Sequence, residues 1–328
     1  TSTLNYEFAD APDVTADVII VEPGLALDSF VSNTSLIEAG DIVEFTLTVS
    51  NDLDEGYSQS DAFNCTFGPF MNGDMRFLSA WTTGKADLHE SVTEGDIVVG
   101  GSVMIDQIAV GEELEIHFVV EIQDSVKSGD RITTAPSGSW VSLPSTLWPG
   151  QRSYGDTFGS VDMDVAVPTL GLSLLNTTLN TTADEFQEDD ALPLTIGEET
   201  TFMATVELVQ GSTNMVVELL CDSPSMEYSA FEIMSVSPNV QGNLDFNSSA
   251  AVGCGVSLDF GTVVVTAFNR TEDIAADIIN ISYTVIVAND IGNTDDTIIS
   301  EALTSTLNYE FADAPDVTAD VIIVEPGL

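Results

Sequence analysis

Apolar and polar residues alternate along several stretches of this chain. In residues 39–51 every second position faces one side and is apolar: Val43, Phe45, Leu47 and Val49. Residues 114–122 show the same pattern, with the apolar set Leu114, Ile116, Phe118, Val120 and Ile122. A period of two is typical of a β-strand with one buried face. Gly, Pro, Asn and Asp separate these runs, and no stretch has sustained helical periodicity, so the pattern predicts a β-sandwich.

The second half of the chain repeats the plan of the first half. Residues 169–175 correspond to 25–30, 196–208 to 38–49, 277–289 to 114–122, and 300–326 to 131–168. In the second of these pairs the inward residues are predicted to be Phe202, Ala204, Val206 and Leu208. The sequence therefore predicts an all-β protein of two tandem β-sandwiches, residues 26–168 and 169–328, preceded by residues 1–25. Their joints fall at Pro23–Gly24 and Pro168 with almost no linker, which favours a stiff rod.

An internal repeat relates the two ends of the chain. Residues 1–25 and 304–328 are identical at every position, with an offset of 303 residues. Such a repeat indicates one full period of a tandem array plus the start of the next copy. Residues 304–326 are then the closing strands of the second sandwich, and residues 1–25 are the closing strands of a preceding copy. We expect 1–25 to be extended, and either unpartnered or docked on an adjacent copy.

The charge balance excludes several classes of function. The chain has 54 Asp and Glu against 6 Lys and Arg, for a net charge of −48, while 44% of its residues are apolar. A folded protein with that charge repels nucleic acids and anionic membrane surfaces. It suits an extracellular or cell-surface location in salty water, where self-repulsion is screened. No stretch approaches the roughly 20 apolar residues of a membrane helix, so no membrane insertion is expected in this segment.

Sequons and cysteines support a secretory route. The chain contains seven Asn-X-Ser/Thr motifs, which predict N-linked glycans at Asn33, Asn64, Asn176, Asn180, Asn247, Asn269 and Asn280. Cys221 and Cys254 are close enough in sequence to pair in an oxidising compartment. Cys65 is then left over, and we interpret it as a small buried apolar residue.

Catalysis is not expected from this sequence. The two histidines are His89, in a charged loop, and His117, on the polar face of a strand. The chain lacks the nucleophile-elbow, zinc-protease and phosphate-loop motifs. Carboxylates are so abundant that any pair of them would resemble a glycosidase dyad, so such a pair carries no information.

The acidic loops suggest calcium as a cofactor, although the sequence predicts no cofactor that the protein requires. Calcium takes six to eight oxygen ligands, and acidic clusters occur at 51–55 and 184–190. The residues predicted as ligands are Asp162 and Asp164, near the Pro168 joint, and Asn289, Asp290, Asp295 and Asp296. None of these clusters has EF-hand spacing, and the alternative is that they are solvated loops.

One region is rich in aromatic residues. Trp140, Trp148 and Tyr154 lie among prolines at 136, 144 and 149. One interpretation is a platform that binds a sugar or a partner. The interpretation we prefer is that this region packs against the neighbouring domain as part of the joint.

The motifs quoted above carry a family resemblance. The strand that ends at Ser50–Asn51, the run Gly-Glu-Glu-Leu-Glu-Ile-His-Phe-Val-Val from Gly111, and Ser128-Gly-Asp-Arg-Ile-Thr-Thr-Ala resemble the immunoglobulin-like tandem repeats of large surface proteins and adhesins, of the DUF11 type. The resemblance implies that both sandwiches, residues 26–168 and 169–328, are immunoglobulin-like and stand end to end in a rod, as in cell-surface stalks, adhesins or fibres. Some relatives carry Lys–Asn isopeptide cross-links, which this chain is not expected to form, since its lysines, Lys85 and Lys127, are not in a first strand.

These observations together predict a structural segment of a glycosylated extracellular fibre or cell-surface stalk. The alternative is a calcium-dependent adhesin that binds a surface or glycan ligand. The partners expected are further copies of the same repeat, in the same chain or in neighbouring subunits.

Overall fold

The structure is a computed structural model of the 328-residue chain. It describes residues 21–51, 60–68, 73–84, 102–144, 151–157, 159–178, 191–222, 224–242, 247–250, 253–266, 277–290, 294 and 297–324, with the short pairs 5–6 and 9–10. These residues form strands, turns and coil, and none of them is helical. No membrane-spanning helix is found in this described part.

Two short strands precede the first sandwich. They are β1 (Asn5–Tyr6) and β2 (Ala9–Asp10), which pair with each other in register Asn5↔Asp10 and Tyr6↔Ala9. The first sandwich then contains β3 to β13, in chain order Ala26–Ser32, Leu36–Ile37, Ile42–Ser50, Ala62–Gly68, Met75–Gly84, Val103–Ile108, Glu113–Ile122, Arg131–Thr134, Ser137–Val141, Ser153–Thr157 and Val161–Val165.

Three sheets enclose the first core. One has the order β3-β5-β9-β7, another β12-β11-β6-β8, and a smaller one β10-β13-β4, in which β13 and β4 are parallel. The apolar sets predicted on β5 and β9 are buried, as shown by Phe45 and Phe118, which lie opposite each other. The core runs from Leu25 to Val165, so it begins one residue before the predicted boundary at 26.

The second sandwich contains β14 to β25. Their bounds are Thr169–Thr177, Leu192–Leu194, Glu199–Leu208, Gly211–Cys221, Met226–Val236, Val240–Gly242, Asn247–Ala250, Cys254–Val265, Asp277–Val287, Ile298–Tyr309, Ala312–Asp313 and Val317–Ile323. One sheet has the order β14-β16-β22-β18, and the other β15-β25-β23-β17-β21-β19, with β20 on β21 and β24 on β23.

The second core extends from Leu192 to Ile323 and includes the predicted inward residues of β16. Residues 304–324 are part of this sandwich, because β23 pairs with β17 and β25 pairs with both β23 and β15. Leu307, Val321 and Ile323 are fully buried there. The β23–β24 pairing, Asn308↔Asp313 and Tyr309↔Ala312, has the same register as β1–β2 in the identical segment near the start of the chain.

Candidate functional site

The contact between the two sandwiches is the first candidate site, and we name it the central joint. It brings residues 126–129, which follow β9, against 210–213 and 309–311 of the second sandwich. The Ser128 amide donates to the Ser212 carbonyl at 3.0 Å, and the Ser212 amide donates to the Val126 carbonyl at 2.8 Å. The main chain is therefore paired across the joint, as in a short parallel ladder at Lys127 and Ser212.

Side chains close the central joint on its buried side. The Ser128 and Thr213 hydroxyls lie 2.6 Å apart, and both residues are buried. A buried hydroxyl pair is costly to break, because each partner would lose its hydrogen bond without gaining water. Gly211 has a φ of 123°, and a Cβ at this position would lie 2.9 Å from the Val126 carbonyl oxygen. The close approach of the two main chains therefore requires glycine at 211.

An ion pair crosses the central joint on its exposed side. The Lys127 ammonium lies 2.7 Å from the Glu310 carboxylate and 5.8 Å from the centre of the Phe311 ring. Glu310 and Phe311 form the turn between β23 and β24, so the tip of this hairpin reaches back onto the first sandwich. Only residues 166–168 separate the end of β13 from the start of β14. The short covalent connection and the main-chain hydrogen bonds across the joint together restrict the motion of one sandwich relative to the other.

The second candidate site lies at the other end of the first sandwich, and we name it the Trp140 groove. Trp140 on β11 and Tyr154 on β12 stack with ring centroids 6.3 Å apart. Residues 22–25 lie in this groove: the Trp140 Nε1–H donates to the Pro23 carbonyl at 3.3 Å, and the Arg152 guanidinium pairs with the Glu22 carboxylate. Leu25 enters the first core.

The groove explains the aromatic region singled out in the sequence. Trp140 is only 5% exposed, because its face is covered within the groove and is not open to solvent as a sugar platform would be. Trp140 is part of the first core and contacts residues 22–25, so packing of this region against a neighbouring domain stays a prediction. Trp148 lies outside the described residues. The pairing of Arg152 with Glu22 could not be predicted from the sequence, since the two residues are far apart along the chain.

The predicted cation ligands Asp162 and Asp164 lie on β13 beside a basic residue. Arg131 on β10 contacts Asp164 at 2.7 Å and Asp162 at 4.0 Å, and Thr133 donates to Asp162 at 2.7 Å. The hydrogen bond to Asp164 raises the pKa of the Arg131 guanidinium. A calcium ion at this position would have to displace Arg131, so this geometry disfavours the site.

The other predicted ligands are only partly visible. Asn289 and Asp290 follow β22, whereas Asp295 and Asp296 lie outside the described residues, as do 52–55 and 184–190. Within the described ranges, no group of three or more His, Cys, Asp or Glu side chains is arranged to hold a metal. Calcium binding in these loops stays a prediction.

The sequons differ in their accessibility. Asn33 lies in an exposed bend and Asn176 is exposed on β14, whereas Asn64 is half-buried with a positive φ of 47°. The Asn280 amide donates to the Ser235 hydroxyl at 2.9 Å within the four-stranded sheet. Asn180, Asn269 and the side chain of Asn247 lie outside the described residues. Only Asn33 and Asn176 are therefore seen with the exposure that a glycan acceptor needs.

The cysteines are placed in different environments. Cys221 on β17 and Cys254 on β21 form a disulfide, with Cα atoms 5.1 Å apart. Cys65 on β6 is fully buried in the first core, and burial raises the pKa of its thiol to about 12. The disulfide therefore links two neighbouring strands of one sheet in the second sandwich, whereas the first sandwich contains a buried free thiol.

Several solved structures are similar to this chain. No protein-family model and no curated protein matches this sequence, so the DUF11-type resemblance has no model behind it. The CupB6 tip adhesin from Pseudomonas aeruginosa is similar over 92% of this chain and 98% of its own, at 10% identity and a TM-score of 0.34. The collagen adhesin from S. aureus has 8% identity over 90% of this chain and 92% of its own, with a TM-score of 0.25.

A pilin is also among the similar structures. BcpA, the major pilin subunit of Bacillus cereus, covers 90% of this chain and 69% of its own at 11% identity, with a TM-score of 0.30. These three TM-scores are below 0.5, so the likeness carries no argument about function. In its described residues the chain is an all-β protein with two sandwiches, as its strand pairing and two cores show.

Proposed function

We propose that this chain is a structural segment of an extracellular, N-glycosylated fibre or cell-surface stalk built from tandem sandwiches. The observation that carries the proposal is the central joint. Its main-chain hydrogen bonds, its buried Ser128–Thr213 pair and its three-residue connection hold two sandwiches end to end. A protein whose sandwiches are fixed in series transmits force and spans distance, and the exact repeat of 25 residues supplies the means to extend the series.

The charge and the sequons fit the same proposal. A net charge of −48 keeps long filaments from associating sideways, because like charges repel wherever sheet edges approach each other. Glycans on Asn33 and Asn176 would add a hydrated coat on exposed positions of both sandwiches. The Cys221–Cys254 disulfide also suits an extracellular location, because disulfides persist in oxidising compartments.

Electron microscopy of the native material tests the fibre. We expect a beaded filament in which two sandwiches recur with each 303-residue period. Isolated particles, or beads that bend freely at every joint, would contradict the proposal. Adding EDTA provides the contrast with the calcium-dependent adhesin: the fibre proposed here keeps its stiffness and melting temperature, whereas a large drop in either would favour the adhesin.

Glycopeptide mapping tests the coat. We expect occupancy at Asn33 and Asn176 and none at Asn280, because the Asn280 side chain is half-buried and hydrogen-bonded to both Ser235 and Thr205. Occupied Asn280 with bare Asn33 and Asn176 would contradict the assignment.

A further inference from the structure

The first strand of each sandwich lies at the edge of its four-stranded sheet. Within the part of the chain that the structure describes, β3 pairs with β5 alone and β14 pairs with β16 alone. An edge strand has main-chain N–H and C=O groups that no neighbouring strand uses, so another chain can pair with it. Charged side chains, bulges and covering groups are the usual means by which proteins prevent such pairing.

The two edges can be compared position by position. Phe45 and Phe202 are matching core residues, and each lies opposite a residue of the edge strand. The next position along each edge strand is a predicted glycan acceptor: Asn33, which follows β3 and bonds to β5, and Asn176 on β14. The two exposed acceptors therefore occupy equivalent positions on the two sandwiches.

The edges differ in the residue at their bulge. In β3 the pairing register shifts at Asp28, which is exposed. In β14 the register shifts at Leu175, whose exposed fraction is 47%. The first sandwich therefore presents a carboxylate at its bulge, and the second presents an apolar side chain directly before its glycan acceptor.

The edge strand β14 has no ionisable side chain. Its sequence is Thr-Leu-Gly-Leu-Ser-Leu-Leu-Asn-Thr, in a chain where 18% of the residues are charged. The acidic charge that repels another copy elsewhere is therefore missing from this strand. An uncharged strand can meet the same strand of a second copy across a twofold axis, because no like charges come together. Gly171 and Ser173 are exposed there and are too small to obstruct that approach.

We infer that the free edge of β14 is a self-association surface that pairs with β14 of a second copy, and that a glycan on Asn176 keeps this edge closed. Asn176 is exposed on the edge strand itself, so a bulky hydrated glycan there excludes a second strand. On β3 the charge of Asp28 opposes pairing even without a glycan. This inference rests on the proposed function, in which the chain is N-glycosylated.

Removal of the acceptors tests the edge in the full chain. Asn176→Gln removes the acceptor on β14, and Asn180→Gln removes the next acceptor in the sequence. We expect the dimer dissociation constant of this double variant to fall by roughly tenfold or more relative to the glycosylated chain. Sedimentation velocity in high salt, which screens the net charge, measures it. A double variant that stays as monomeric as the glycosylated chain would overturn the inference.

The matched control is Asn33→Gln. It removes the acceptor at the equivalent position of the first sandwich and leaves Asp28 at the bulge. We expect this variant to remain a monomer under the same conditions. Dimers of equal strength in the control would show that any lost glycan promotes association, and the assignment to β14 would then be wrong.

A charge at the bulge of β14 should replace the glycan. Leu175→Asp, added to the double variant, gives β14 the kind of residue that β3 has at Asp28, and we expect it to restore the monomer. Leu175 is exposed, so folding is preserved, and near-ultraviolet circular dichroism verifies it. Hydrogen exchange should show added protection of residues 169–177 in the dimer. A dimer that tolerates Leu175→Asp, or that leaves 169–177 unprotected, would contradict pairing through β14.

These results are separable from the test of the fibre. Single beaded filaments in the native material, together with a double variant that does not dimerise, would overturn the edge inference and leave the proposed fibre intact. Native material without filaments, together with a double variant that dimerises through 169–177, would contradict the fibre and support the edge.

Discussion

The sheet β3-β5-β9-β7 of the first sandwich corresponds to β14-β16-β22-β18 of the second, but the strands that pack opposite these sheets are arranged differently. In the second sandwich β23 is one continuous strand that pairs with both β25 and β17. In the first sandwich the equivalent strand is divided at Ala135–Pro136 into β10 and β11, which join different sheets. Proline lacks the N–H that a central strand must donate, so Pro136 ends the ladder at this point.

The division has a consequence for the hairpin that follows. After Pro136 the chain is free to form the long β11–β12 hairpin with Trp140 and Tyr154, whereas β23 continues into the short hairpin at Glu310–Phe311. The two sandwiches thus have cores built on the same strand pattern and differ in the hairpin that contacts the preceding part of the chain. The pattern of burial therefore specifies the fold that both sandwiches share, whereas the contacts at the joints are made by hairpins that differ between the two sandwiches.

The largest expected effect comes from removing equivalent core rings. Phe45 and Phe202 are fully buried at matching positions, opposite Phe118 and Tyr283. Phe→Ala at either site should cost about 3–5 kcal/mol, through lost burial and a cavity. All three tryptophans lie in residues 26–168, so tryptophan fluorescence during urea unfolding reports on the first sandwich. Phe45→Ala should shift that transition and Phe202→Ala should leave it nearly in place. Equal shifts would show that the sandwiches unfold as one unit.

Loss of the disulfide should distinguish the unfolding transitions of the two sandwiches almost as clearly. The Cys221–Cys254 bond spans 33 residues, and closing a loop of this size stabilises a fold by about 3–4 kcal/mol in the chain-entropy description. We expect Cys221→Ser with Cys254→Ser to lower the circular dichroism transition of the second sandwich and to leave the tryptophan transition unchanged. Cys65→Ala serves as the control, and a tryptophan transition that falls with the disulfide would contradict this assignment.

Gly211 tests the central joint itself. Ala at 211 combines a positive φ with a Cβ 2.9 Å from the Val126 carbonyl, whereas Ala at 197 has a positive φ of 84° and nothing within 4 Å. Each should lose about 1–3 kcal/mol from backbone strain. Gly211→Ala should in addition loosen the joint, as a wider distribution of interdomain angles in small-angle scattering. Equal scattering from both variants would argue against close packing at Val126.

Alkaline pH should weaken the first sandwich through Cys65. Burial raises the pKa of this thiol from an ordinary value of 9.0 to about 12, so the unfolded chain releases its proton at a lower pH than the folded chain. Stability from the neutral thiol is therefore complete below pH 9 and is lost as the pH rises toward 12. The urea midpoint followed by tryptophan fluorescence should fall over this range, and Cys65→Ala should reduce the slope. The same slope in both proteins would contradict the buried thiol.

The smallest expected effect is at Lys127. Its ion pair with Glu310 is exposed, with 47% and 37% of the two side chains accessible, so Lys127→Gln should cost less than about 1 kcal/mol. The loss should shrink further in high salt, because the Debye length shortens. A loss that salt does not change would point to the contact with Phe311 instead.

The strand faces could be predicted from the sequence because alternation records burial directly. The inward positions of β5, β9 and β16, among them Leu47, Ile116 and Val206, are buried as the pattern indicates. The correspondence of 300–326 with 131–168 also identifies the strands that close each sandwich, although the chain divides at Pro136 in one of them.

The joints could not be predicted in the same way, because they depend on contacts between residues distant in sequence. Arg152 lies 130 positions after Glu22, and Lys127 lies 183 positions before Glu310. At Asp162 and Asp164 the sequence could not show that Arg131 lies within contact distance of both carboxylates. An excess of carboxylates makes acidic clusters common, and only the geometry shows which of them face Arg131.

The parallel pairs β4–β13 and β15–β25 determine how each sandwich would respond to tension. In each pair the earlier strand lies near the start of its sandwich and the later one near its end. Pulling the two ends apart slides these parallel strands along their axes in opposite directions. Such shear loads the hydrogen bonds of a pair together, whereas peeling would break them one after another. A fibre made of such units resists stretching where the second strand of each sandwich pairs with its last strand.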